Sequence, residues 1–416
     1  MGNPDVIIAG AGLAGLSCAR TLHRAGLRPL LLEASDAAGG RVRTDRVDGF
    51  LLDRGFQVFL TAYPECGKVW DLAALDLRAF EPGARIRRGG RFHTVTDPWR
   101  QPLRALTTAL SPIGSLADKL KVARLRSRAL RGTVAELFAR PEEPAGVRLR
   151  RLGFSEAMVQ SFFRPFFGGI FLESGLETSS RMMEFVFRMM AQGEVALPAG
   201  GMGRLSEALA AQLPAGAVRV DAPVARVQAR SVALESGERL EAGCVVVATE
   251  GPAAAKLLPS LAVAPGRPVS CLYFAAPEPP VRGARLLLDG EGRGQVNNVA
   301  VLTEVAPEYA PAGQSLISVT VLGAQTPSES AVRAELGAWF GAAVGGWRHL
   351  RTYRIAHALP AQAHLEPGAA VTPDGVFVCG DYLQHGSIEG AIVSGQRTAN
   401  AVLAQRGVSS RAGGAL

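Results

Sequence analysis

The chain is short of several things that particular mechanisms require. Its five cysteines, Cys18, Cys66, Cys244, Cys271 and Cys379, include no C-x-x-C pair. Redox dithiol and thiolate-metal chemistry are therefore not indicated, and the thiols read as small buried hydrophobes of a reducing compartment. No His/Cys/Asp/Glu cluster has metal-ligand spacing, so no metal is expected. Of the 45 basic residues only Lys68, Lys119, Lys121 and Lys256 are lysines. The net charge of +8 is thus an arginine charge. It permits attraction to an acidic membrane surface or partner, and an arginine-rich proteome explains it equally well. No nucleic-acid-binding motif is present. No apolar run reaches eighteen residues, so no segment is expected to span a bilayer. The N-terminus lacks the basic stretch of a signal peptide, and Val6 stands where myristoylation needs Ser or Thr. A cytoplasmic protein with peripheral membrane contact is expected. With 48% hydrophobic and 20% charged residues the 416-residue chain is globular, and it is long enough for two domains.

What is present begins at Asp5. The apolar run Val6 to Ala9 reads as a buried parallel strand, and Gly10, Gly12 and Gly15 follow as G-x-G-x-x-G. Leu13, Leu16, Ala19 and Leu22 then recur at helical spacing until Gly26 closes the helix. Gly10 makes the turn, Gly12 lets a pyrophosphate approach the backbone, and Gly15 lets the helix pack on its strand. The helix N-terminus offers N–H groups and partial positive charge to phosphates. A second strand, Arg28 to Leu32, ends at Glu33, where a carboxylate can hold ribose hydroxyls. The context of strand, turn, helix, strand and acid identifies a dinucleotide site.

Gly39-Gly40-Arg41-Val42-Arg43-Thr44 comes next, and Asp48-Gly49 suits a tight turn between Val42–Val47 and Phe50–Asp53. Together with the glycine fingerprint and the acidic strand end, this segment resembles the superfamily of flavin-containing amine oxidases, phytoene desaturases and protoporphyrinogen oxidases. Near the C-terminus Gly380-Asp381, followed by Ser387-Ile-Glu-Gly-Ala-Ile-Val-Ser-Gly, resembles the flavin motif of the desaturase branch. The resemblance implies non-covalent FAD. It places cofactor contacts on Gly10, Gly12, Leu13, Ala14 and Gly15, on Glu33 and Ala34, on Gly40 and Arg41, and on Gly55 beside the isoalloxazine. Val224 would clamp the adenine, Asp381 would hold the ribityl chain or pyrophosphate, and the helix N-terminus at Ile388 would face the flavin N1–C2 carbonyl.

The implied fold is α/β, a Rossmann-type FAD-binding domain of glutathione-reductase-like form joined to a discontinuous α+β substrate domain. The expected FAD-binding segments are 1–60, 195–270 and 355–416; the substrate segments are 61–194 and 271–354. Between residues 61 and 194 helical patterns dominate. Lys119 to Arg131 holds six basic residues around Leu120, Leu125 and Leu130, with Leu116 just before it, a candidate interfacial helix. Thr133 and Glu136 form a capping box. Pro141–Gly146 reads as a loop, and Ser155 starts a helix leading into Phe162-Phe-Arg-Pro-Phe-Phe. Between Phe154 and Met190 lie eight of the seventeen phenylalanines and five of the seven methionines. They form either the wall of a long apolar pocket or the core of a helical cap. The glycine-rich stretch after Leu197 has no apolar strand before it and is not a second nucleotide site. Val218–Val227 alternates as one strand, Cys244–Val247 is a buried strand, and segments such as Ser315–Leu322 suggest a sheet under the substrate domain.

Three functions fit. The first is a desaturase or dehydrogenase passing a hydride from a lipophilic, isoprenoid or carotenoid-like small molecule to FAD. Amine oxidase and protoporphyrinogen-oxidase chemistry form the second. Ser387 replaces the cage tyrosine common in amine oxidases, and no lysine follows Lys256, which both count against an amine substrate. The third is a redox-neutral flavin-dependent isomerase. His385 is the candidate catalytic residue, with His357, His364 and Arg164 nearby in sequence to the same motifs or to the aromatic run.

Overall fold

The computed structural model describes residues 3–407. Its organising layer is a parallel sheet of five strands in the order Val218–Arg219, β2 (Pro29–Leu32), β1 (Val6–Ala9), Cys244–Val247 and Phe377–Val378. β1 runs between Cys244–Val247 and Pro29–Leu32 and is buried throughout, which explains its continuous apolar run. Helix α1 (Leu13–Arg24) follows β1 and packs on the last helix, Ile388–Gln405. There the Ser17 hydroxyl donates to the Ile392 carbonyl at 2.9 Å. Gly395 permits this approach, because a Cβ there would collide with the Ala14 carbonyl oxygen.

The hairpin forms as expected. β3 (Thr44–Val47) pairs with β4 (Phe50–Asp53), and Asp48 and Gly49 both take positive φ, +50° and +83°. A two-residue turn with both residues left-handed matches the twist of the strands it joins. β4 ends at Asp53, a buried hub. Its carboxylate accepts from the Thr44 and Tyr309 hydroxyls and from the Met202 amide, while its carbonyl accepts from Tyr273. Burial pushes its pKa up to about 6 despite those hydrogen bonds.

The second layer is a seven-stranded mixed sheet, and here several expectations change. Gly83–Arg88 and Arg91–Thr96 join its edge, two strands within a stretch, 61–194, that helices otherwise dominate as expected. Their alternation and the Gly89-Gly90 turn, with φ of +61° and +70°, were the available signals. The boundary expected at 270/271 falls inside strand Gly266–Ala276, and that at 354/355 inside Arg348–Pro360. These two long strands pair with one another and carry the chain between layers without a break. Val218–Val227 is not one strand either. Asp221 at φ +48° breaks it into Val218–Arg219, in the parallel sheet, and Val224–Gln228, in a separate antiparallel one. A short strand, Val195–Pro198, does precede the 197–204 glycines, but it is antiparallel to its neighbours. The helix after it starts with its Met202 and Gly203 amides already bound by Asp53 and Thr44, leaving no phosphate cradle. The loop expected at 141–146 ends early, since helix Ala145–Arg151 starts within it.

The helical layer comprises Leu116–Ala129, the run Glu156–Phe171 and Ser180–Gln192. Ser115 and Thr133 each build a capping box with the acid three residues later. The run after Ser155 contains one π-helical stretch, Val159–Phe163. No helix among the described residues is long and apolar enough to cross a membrane. The small, polar sequence after Arg406 reads as a disordered tail; from residue 408 on it lies outside the described residues.

Candidate cofactor and substrate site

The loops at the C-terminal ends of β1 and β2 open into a cavity of about 1160 Å³. Its walls include Gly10, Gly12, Leu13, Ala14, Glu33, Ala34, Gly40, Arg41, Gly55, Val224, Gly380, Asp381 and Ile388. Motifs more than three hundred residues apart therefore converge on one site. Gly15 is the single expected contact residue outside that wall; it packs α1 on the turn, where a Cβ would strike the Gly10 carbonyl oxygen. Gly10 adopts φ +107°, with Ala248 backbone 2.8 Å from where a Cβ would be. A Cβ on Gly12, by contrast, would meet nothing within 4 Å. The crowded glycines shape the turn and the open one leaves room for a phosphate.

Glu33 is held ready rather than free. One carboxylate oxygen accepts from the Ala11 amide at 2.8 Å, and the other accepts from the Ser35 amide and hydroxyl. Arg41 and Asp381 carry a feature beyond the expected cofactor contacts. Both line the cavity, and they also pair with each other, which the sequence did not show: Arg41 donates to Asp381 at 2.7 Å and to the Ala358 carbonyl at 2.7 Å. Burial alone would lower the arginine pKa, but the Asp381 carboxylate outweighs it and raises it. The pair closes the floor of the site across 340 residues of sequence, so the positive charge of Arg41 is already matched. At the last helix, Ser387 caps the N-terminus by accepting from the Gly390 amide at 2.9 Å, leaving Ile388 at the cavity.

The test of fit for a flavin dinucleotide comes from unmet hydrogen-bonding capacity. Thr249, just past strand Cys244–Val247, lines the cavity and its buried hydroxyl has no partner. A buried unsatisfied hydroxyl is costly unless a ligand meets it. With the open space at Gly12 and the acid at Glu33, the site suits a dinucleotide. Sequence reasoning did not single out Thr249; its place directly after the return strand was the signal.

His385 is placed differently from expectation. It is buried and absent from the cavity wall, stacked on Phe138 (5.4 Å) and tilted against Phe185 (5.1 Å). Its Nδ1 lies 2.9 Å from the Ser387 hydroxyl. Burial lowers its pKa to about 4, so the ring is neutral at pH 7. It supports the last helix through Ser387, and the geometry does not support a base touching substrate. His364 is exposed beside Glu142, and neither His357 nor Arg164 lines the cavity.

Beyond the dinucleotide motifs the same cavity is walled by Phe162, Phe166, Ile170, Met182, Phe187 and Met190. Their helical neighbours Phe163, Phe167, Phe171, Met183, Phe185 and Met189 face the core. The phenylalanine- and methionine-rich segment thus serves both purposes, one helix face each. Tyr63, stacked on Phe185 at 6.0 Å, also reaches the cavity.

A dinucleotide cradle opening straight into an apolar chamber fits a flavoprotein oxidoreductase, and the family match makes FAD its cofactor. The chain belongs to the flavin containing amine oxidoreductase family, whose sequence pattern it matches over residues 13–403. It is 29% identical over 252 residues to putrescine oxidase of Kocuria rosea, which is 54% of this chain and 49% of that one. It is 49% identical over 61 residues to 15-cis-phytoene desaturase of an Oncidium hybrid cultivar, 14% of this chain and 10% of that one. The chain therefore matches about half the length of the first of these relatives and a tenth of the second. Among solved structures, a candidate protoporphyrinogen oxidase from Exiguobacterium sp. 255-15 superposes with a TM-score of 0.74 at 19% identity. That superposition covers 97% of this chain and all of the other, and it establishes the shared fold.

Proposed function

We propose that the protein is an FAD-dependent dehydrogenase or desaturase acting on a lipophilic, isoprenoid-like small molecule. The observation that carries this reading is the continuity of the cavity, whose wall passes from the dinucleotide motifs to Phe162, Phe166, Met182, Phe187 and Met190 without an intervening barrier. Bound FAD supplies hydride acceptance. The chain binds it through the fingerprint glycines, Glu33 and Thr249, and orients it with the helix N-terminus at Ile388. Aromatic and thioether side chains exclude water and hold a flexible apolar substrate in position. Among the described residues, Glu81 and Asp97 are the carboxylates that line the apolar half and no histidine does, which supports a reaction driven by placement rather than by a side-chain base. Ser387 in place of a cage tyrosine supports a substrate other than a small amine. Peripheral membrane contact belongs to the same proposal, because Leu110, Leu116 and Leu120 are 77%, 64% and 61% exposed. The test is anaerobic incubation of the FAD-loaded protein with lipophilic donors. Bleaching of the flavin supports oxidation, whereas product formation without net bleaching indicates a redox-neutral isomerase.

A further inference from the structure

Helix Leu116–Ala129 is arranged the wrong way round for a surface helix. Lys119, Val122 and Arg126, spaced three and four apart on one face, line the apolar cavity, while Leu116 and Leu120 are exposed. Charged side chains normally occupy the solvent face. Neither cation has a carboxylate partner among the described residues. Lys119 donates to the Ala109 and Ser111 carbonyls at 2.9 and 2.7 Å, and Arg126 donates to the Ala191 carbonyl at 3.2 Å. The guanidinium of Arg126 lies 4.8 Å from the Trp99 ring centroid, and its buried Nε has no hydrogen-bond partner. Carbonyl dipoles occupy donor positions here without cancelling two full charges.

The cations sit away from the flavin motifs. Helix Ser180–Gln192 gives the measure, because Phe185 packs against His385 beside the last helix, and Ala191 meets Arg126 six residues further on. At the helical rise the two contacts are about 9 Å apart along that helix. The cavity wall therefore runs from the dinucleotide motifs through an apolar middle to a basic pair held by carbonyls and, among the described residues, without a carboxylate in ion-pair contact, with Glu81 and Asp97 further along the same wall.

We infer that Lys119 and Arg126 form an anion subsite, so that the substrate is a lipophilic molecule carrying a carboxylate or phosphate, held with its reacting carbon toward the flavin. Arginine and lysine recognise such groups through charge-assisted hydrogen bonds, strongest where water is excluded. This inference rests on the lipophilic-substrate reading above and narrows it.

The test uses cis-parinaric acid and its methyl ester as fluorescent probes of the FAD-loaded protein at pH 8 and low salt. The acid is expected to bind at least ten-fold more tightly than the ester. In Lys119→Gln/Arg126→Gln that preference should vanish while ester binding persists, and Lys119→Arg/Arg126→Lys should retain it. Flavin content and circular dichroism confirm that each variant is folded. Equal affinity of acid and ester in the parent, or a preference that survives in the Gln variant, overturns the subsite and leaves the apolar cavity standing. Failure of both probes to bind overturns the lipophilic reading as well. A parallel arm measures sedimentation with phosphatidylglycerol and phosphatidylcholine vesicles. If the Gln variant loses phosphatidylglycerol binding while the acid shows no advantage in the parent, the cations read lipid headgroups and the substrate assignment is wrong.

Discussion

Single side chains carry two opposing pH effects in this protein. His385 titrates near pH 4 instead of its ordinary 6.5 because it is buried against aromatic rings. Between those values the unfolded chain binds a proton that the folded chain refuses. Its contribution is therefore complete above pH 6.5 and is lost as pH falls toward 4, on the order of 3 kcal/mol. Asp53 works the other way: its pKa is raised from 3.8 to about 6, so the folded state binds more protons in that window and gains stability as pH falls through it. His385→Phe should retain flavin reduction and lose the acid-side decline, read from urea midpoints at pH 7 and pH 5. Unchanged pH dependence, or abolished flavin reduction at full FAD content, would show that the ring does more than support the helix. Glu33 gives a second prediction at this scale. The Glu33 carboxylate ties down Ala11 and Ser35; with the proposed hold on ribose added, Glu33→Ala should weaken FAD binding by about 1.5–3 kcal/mol, roughly ten- to 150-fold. Equal FAD affinity for Glu33→Ala and the parent would refute that role. Glu33 was legible because chemistry fixes its spacing from Gly15. The mutual pairing of Arg41 and Asp381 was not, since nothing in a linear sequence shows which of two cofactor-facing charges will find the other.

At the level of elements, local signals were sufficient where they acted locally. The fingerprint turn, the Asp48-Gly49 hairpin and the Thr133 capping box depend on a few adjacent residues and formed as read. The sheet strands at Gly83–Arg88 and Arg91–Thr96 were missed although they alternate, because four of their twelve residues are arginines, which dilute the apolar pattern. The two faces of Glu156–Phe171 could not be separated in advance, because apolar side chains against a core and against a lipophilic ligand are the same side chains. The contact between α1 and the last helix tests how the elements are joined. Gly395→Ala places a methyl group against the Ala14 carbonyl, and overpacking of this kind should cost about 1–3 kcal/mol. The denaturant midpoint should fall and FAD should bind less tightly, since Ile388 moves with the helix. A midpoint equal to that of the parent would mean that the helices can shift apart freely.

For the whole molecule, the arginine-rich surface divides into parts that are free and parts that are not. Arg128, with Arg140 and Arg148, surrounds the buried Glu184 carboxylate, and Lys121 bonds the Gly153 carbonyl. The basic segment is thus largely internal wiring, and Leu125 is buried with it. Membrane contact, if it follows the exposed side chains, depends on Leu116, Leu120 and Arg124. Leu116→Ser/Leu120→Ser should reduce co-sedimentation with phosphatidylglycerol vesicles several-fold without loss of flavin. Equal sedimentation of variant and parent would remove those leucines from the account. The central proposal concerns the chamber itself: that a lipophilic substrate, rather than a small amine, is what reduces FAD there. Anaerobic mixing of the FAD-loaded protein with reduced isoprenoids and porphyrinogens, alongside putrescine, measures this directly through flavin absorbance. The account predicts bleaching by a lipophilic donor and none by putrescine; rapid bleaching by putrescine with no response to any lipophilic donor would contradict it.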